Sequence, residues 1–142
     1  MSAIYPVGAA PLSTFWAMVQ ILHSGSDISA GGWTPSAGGV LWDMLDEAVP
    51  SDSDYITTST ASTCEVAFGA GLDPLSSIGH TVRYRAKGDG NLTVSLIEGT
   101  TTIASHVPAI TSTYGTFQFT LTDAEANSIT NYANLRLRFV SS

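Results

Sequence analysis

The chain has 142 residues and a formal charge of −7, with 44% hydrophobic residues but only 12% charged ones. Its polar surface comes from 18 Ser and 17 Thr instead, which excludes the charge-rich make-up of disordered regions and the Glu/Lys-faced helices of a bundle. The acidic balance argues against nucleic acid as a partner, and no apolar run reaches the ~18 residues of a membrane span.

Residues 1–14 (MSAIYPVGAAPLST) mix Pro6, Gly8 and Pro11 with small residues and show no period, so they read as an extended arm. Phe15–Leu22 is expected to be a strand or the docking part of that arm; its apolar run lacks the basic flank of a secretory signal. The expected organisation is an N-terminal arm over 1–24 and one β domain over 25–142. Ile4, Tyr5, Phe15, Trp16, Met18 and Ile21 are the arm's candidate contacts, because buried apolar surface contributes roughly 25 cal/mol per Å². Gly25–Gly39 reads as a loop around Trp33, and Val40–Glu47 as a short helical turn closed by Pro50.

From residue 54 onward the pattern is β. Tyr55–Ser59, Cys64–Gly69, His80–Lys87, Asn91–Glu98, Thr101–Val107, Thr116–Leu121 and Leu135–Val140 are strand candidates divided by turn residues. His80–Lys87 and Asn91–Glu98 are expected to form a hairpin through Asp89-Gly90. Thr122-Asp-Ala-Glu125 is a capping box, predicting a helix over 123–130 with Ala126 and Ile129 turned inward. Seven to nine short strands with frequent turns predict an all-β, antiparallel jelly-roll β-sandwich.

Charge is unevenly placed. Residues 1–80 hold eight acids and no Lys or Arg; all five bases lie in Arg83/Arg85/Lys87 and Arg136/Arg138. A spacing of two puts each set on one face of a strand. The expectation is that the two strands are neighbours, forming one basic stripe that meets carboxylates of another chain or of the acidic first half. Arg83, Arg85, Arg136 and Arg138 are the candidate polar interface residues.

Chemistry is sparse. His23, His80 and His106 lie far apart without zinc-ligand spacing, and the lone Cys64 is expected to point inward as a small hydrophobe. No nucleophile elbow, phosphate loop or HExxH is present, and no EF-hand spacing marks a Ca²⁺ loop. No enzyme, metal or cofactor is expected. A hydrolase on this scaffold would have to use Asp52 and Asp54, which lack a motif partner. Trp33 and Tyr55 are the candidates for stacking on a glycan, against the commoner role of such aromatics in cores and interfaces.

A set of segments carries a family likeness: Asp27–Ser36, Leu41–Glu47, Ser51–Ile56, Thr81–Ala86, Leu96–Thr100, Leu121–Ala126 and Leu135–Phe139. Together they resemble small jelly-roll modules encoded among the structural genes of tailed bacteriophages and gene-transfer agents, over about residues 26–140. The resemblance implies a non-enzymatic virion structural protein assembled in the host cytoplasm. Its implied role is capsid decoration or cement, docked through arm and sandwich edges on junctions of the major capsid protein or other virion proteins. It implies a homo-oligomer, with a trimer favoured. A tail or tail-fibre part, including a carbohydrate-binding module, is the alternative.

Overall fold

Two-residue alternation of apolar and hydroxyl side chains builds strands that bury one face and solvate the other. The computed structural model describes residues 20–142. Nine strands are formed: β1 Ser24–Ser29, β2 Thr34–Pro35, β3 Ile56–Thr57, β4 Ser62–Phe68, β5 Thr81–Ala86, β6 Leu92–Glu98, β7 Thr101–His106, β8 Gly115–Thr120 and β9 Leu135–Ser141. One α-helix, α1 Asp123–Asn127, and two 3₁₀ turns, Trp42–Met44 and Tyr132–Asn134, complete the described residues. The chain is an all-β antiparallel sandwich.

The larger sheet has the order β1-β4-β9-β6-β7, the smaller pairs β5 with β8, and β2 and β3 form a short ribbon. Successive strands β4, β5 and β6 alternate between the two sheets, and β9 inserts between β4 and β6, a jelly-roll type of connectivity. The expected β5–β6 hairpin does not form. β6 is a central strand buried from Val94 to Ile97, so it takes β9 and β7 as neighbours. Residues 87–91 cross between the sheets instead, with the Gly88 N–H donating to the Thr111 carbonyl at 2.8 Å. The tight hairpin lies one connection later: Glu98 pairs with Thr101, and Gly99 takes a φ of 59° at the first turn position, the conformation that favours glycine in two-residue hairpin loops.

Two apolar clusters fill the sandwich. Cys64, Val66, Leu92, Val94 and Phe139 meet Ala86 and Leu41 in one; Val82, Leu96, Ile103 and Leu135 meet Leu121, Ala126, Ile129 and Tyr132 in the other. Tyr84, Phe119 and Leu137 pack against both and join them. The capping box at Thr122 forms as expected and Ala126 and Ile129 are buried, although α1 stops at Asn127, with Ser128 as its C-cap.

The expected loop over 25–39 contains β1, an edge strand whose largely exposed sequence SGSDIS carries no apolar alternation. β1 holds the Trp42–Met44 turn in place. Its Asp27 carboxylate accepts from the Leu41 and Trp42 N–H groups at 2.8 Å each, and the Ser24 hydroxyl donates to the Trp42 carbonyl at 2.9 Å. Leu41 is thereby driven fully into the core. The candidate arm residues Ile4, Tyr5, Phe15, Trp16 and Met18 lie outside the described residues; Ile21 and Leu22 precede β1 and are not in a strand.

Candidate functional site

The two arginine rows do not adjoin. Arg83 and Arg85 lie on β5 in the smaller sheet, while Arg136 and Arg138 lie on β9 in the larger one. Spacing fixes a face of a strand but carries no information on which sheet receives it, so the single stripe divides into two surfaces.

Each row meets a carboxylate from the acidic first half of the same chain. On β9, Arg138 sits opposite Glu65 of β4. Its Nε donates to Glu65 Oε1 at 2.8 Å and its Nη2 lies 2.7 Å from the same oxygen, with Arg136 Nη1 3.6 Å from Oε2. This row is therefore engaged within the fold. On the smaller sheet, Arg85 donates from Nε and Nη2 to the two Asp52 oxygens at 2.9 and 2.8 Å, and from Nη1 to the Thr116 hydroxyl at 3.0 Å. Arg83 is exposed and makes no ion pair among the described residues.

The outer face of β5 and β8 is the most distinctive surface. Arg83 and Arg85 stand opposite Gln118 and Thr116, while Tyr84, Phe117 and Phe119 on the other face pack against the core. At its end Tyr114 lies under two cations, with Lys87 Nζ 4.4 Å and Arg85 Cζ 5.6 Å from the ring centroid. Burial first, and then the Asp52 charge, raise the Tyr114 phenol above its ordinary range. Tyr55 is exposed beside this group, its N–H donating to the Ser36 hydroxyl at 3.0 Å. Arg83 and Arg85 on β5, and Lys87 just past its end, thus lie with Tyr114, and Asp52 is paired to Arg85.

Trp33 does not belong to an open aromatic platform. Its ring packs on Phe139, 6.3 Å between centroids, and its Nε1–H donates to the Ser62 carbonyl at 3.3 Å. Trp42 likewise packs against the core. The aromatic that lies on the β5 face is Tyr114, in the turn just before β8. Asp52, a candidate acid for hydrolysis, is held by Arg85 rather than poised alone.

The histidines serve the architecture. His80 Nε2 shares a 2.7 Å hydrogen bond with the Tyr132 hydroxyl, and His106 Nδ1 a 2.6 Å bond with that of Tyr84. The latter bond ties the smaller sheet to the end of β7. Among the described residues, no group of three His, Cys, Asp or Glu side chains is arranged to hold a metal ion.

Cys64 faces inward as expected and is fully buried. Burial pushes its thiol from 9.0 up to about 12, and burial likewise pushes the Tyr84 phenol from 10.0 up to about 12. Both protons leave the unfolded chain more readily than the folded one. Their contribution is complete below about pH 9 and shrinks as pH rises towards 12. Cys64 should accordingly resist an aromatic disulfide reagent at pH 8 in the folded chain and react stoichiometrically in denaturant. Rapid labelling of the folded protein would contradict its placement.

Compared with known proteins, the chain matches no family model, no curated protein and no solved structure.

Proposed function

We propose that this chain is a non-enzymatic structural protein of a tailed-phage particle. It coats or cements the head by adhering to acidic patches at junctions of the capsid protein. The reading places the protein in the virion, assembled in the host cytoplasm, with virion proteins and copies of itself as partners.

One observation carries it. On a chain of charge −7, three of five bases gather in and just past β5, two of them over the Tyr114 ring. Tyr and Arg are the residue types that dominate adhesive protein surfaces, and a cationic patch speeds encounter with an acidic partner. The segments that carry the family likeness serve architecture: Asp27 seats a turn, Leu96–Thr100 makes the β6–β7 hairpin, and Leu121–Ala126 caps α1.

The test is particle binding. Particles depleted of the protein are incubated with the full chain or with its Arg83→Glu/Lys87→Glu form, and copies per particle are counted. The charge-reversed form is expected to bind roughly 100-fold more weakly, and binding by the parent chain to weaken with salt. Equal occupancy by both forms would remove this face from the proposal.

A second reading has its own support, because the Asp52–Arg85 pair beside Tyr55 and Tyr114 combines planar hydrogen-bonding groups with aromatic rings. It makes the same face a carbohydrate-binding surface on a tail fibre. Dose-dependent glycan binding that disappears in Tyr114→Ala would favour the fibre over the head.

A further inference from the structure

The smaller sheet has a free edge suited to another strand. Leu121 N–H donates to the His80 carbonyl at 2.9 Å, one step beyond the Thr81–Thr120 pair. Hydrogen-bonded and non-hydrogen-bonded pairs alternate along an antiparallel ladder, so Val82–Phe119, Tyr84–Phe117 and Ala86–Gly115 are the bonded pairs of β5 and β8. The backbone groups of Thr116, Gln118 and Thr120 therefore point away from β5, and among the described residues no strand lies beyond β8. Phe117 and Phe119 face inward yet are only half-buried, because nothing covers them from that side.

Among the described residues, four of the longer strands end a sheet, and three of them are blunted. β1 has two register breaks against β4, and β7 has one against β6; such bulges spoil an edge as a template. β5 carries Arg83 and Arg85, whose charges would oppose one another if two copies of β5 met. β8 (GTFQFT) keeps an unbroken register with β5 and contains no charge and no proline. Its pattern is also self-complementary. Laid antiparallel on a second β8 with Gln118 at a two-fold axis, Thr116 meets the partner's Thr120 and Gln118 meets the partner's Gln118. Each of these pairs exchanges two backbone hydrogen bonds. Phe117 then meets the partner's Phe119 in the closer, non-hydrogen-bonded positions on the inward face, where aromatic pairs stabilise a sheet.

We propose that β8 pairs with β8 of a second copy of this chain, joining the two smaller sheets into one sheet of four strands with both β8 strands at its centre. Each molecule offers one such edge, so the contact closes as a two-fold dimer. Arg83 stands opposite Gln118, which sets the two Arg83 positions in one line across three strand spacings, about 14 Å apart. The dimer thereby presents two basic faces side by side, and paired contacts bind a particle more tightly than single ones. This deepens the structural-protein reading and rests on it for its biological purpose, but the pairing itself belongs to the isolated chain.

Sedimentation of the full chain over a range of concentrations should show a monomer–dimer equilibrium. Gln118→Lys and Gln118→Glu each place like charges at the axis and should weaken association at least roughly tenfold. An equimolar mixture of the two should restore it, because unlike charges then meet. Gln118 is exposed, so neither substitution reaches the core, and circular dichroism of dilute samples checks that each form is folded. A chain monomeric at every concentration, association untouched by either substitution, or a mixture no stronger than its parts would overturn the pairing and leave the edge to another occupant. None of these results bears on particle binding through Arg83 and Lys87, so the two readings fail separately.

Discussion

Asp27→Ala is expected to destabilise the fold by about 2–4 kcal/mol, since two hydrogen bonds to a charged acceptor disappear together. The carboxylate holds the N–H groups of Leu41 and Trp42 at 2.8 Å each, and Leu41 is 1% exposed. Its amide would be left without its acceptor beside an apolar core, where water replaces the lost bond poorly. Asp27→Asn should cost less, because its amide oxygen still accepts from one of the two donors. Urea unfolding followed by tryptophan fluorescence measures both, and Trp42 in the affected turn provides a local reporter. A loss below about 1 kcal/mol for the alanine form would mean that the turn is seated by Leu41 packing alone.

The second large effect is expected at Phe139. This residue pairs with Cys64 on one side and Val94 on the other, and all three belong to the same apolar cluster. Phe139→Ala removes most of a buried ring from the middle of the larger sheet, where neighbouring strands leave little room for collapse, and should cost about 3–5 kcal/mol. Phe139→Leu keeps most of the volume and should cost nearer 1–2 kcal/mol. Equilibrium denaturation separates the two. Trp33, whose ring touches Phe139, should shift its emission to the red in the alanine form. Similar midpoints for both variants would show that this position is not the centre of the core.

Local alternation made the strands from β4 to β9 legible, because Val82, Tyr84 and Ala86, or Leu135, Leu137 and Phe139, state which face is buried. Pairing was not legible. Asp89-Gly90 has the residues of a hairpin turn, yet β6 with Val94, Ser95, Leu96 and Ile97 all buried needs two strand neighbours. Competition for a central place in the larger sheet outweighed the local turn. β1 escaped notice because an edge strand with mostly solvated side chains needs no apolar period.

The surface was legible to the same depth. The spacing of the arginines placed each row on one face, and the acidic first half supplied Asp52 and Glu65 as partners. Which partner met which row depended on sheet assignment, a long-range property. Trp33 was drawn inward by Phe139, and Tyr114, half-buried under Lys87 and Arg85, is the aromatic of the β5 face. The latter placement follows from the β7–β8 connection, whose path brings residue 114 alongside Lys87.

The position of β9 also governs how the molecule comes into being. Glu65 and Arg138, neighbours across the larger sheet, are separated by 73 residues in sequence. Until residues 135–141 arrive, β4 and β6 have no strand between them, and each presents open backbone groups to any chain nearby. Maturation should therefore be a late, slow closure governed by long-range contacts, leaving newly made chains vulnerable to clumping until that final strand threads home.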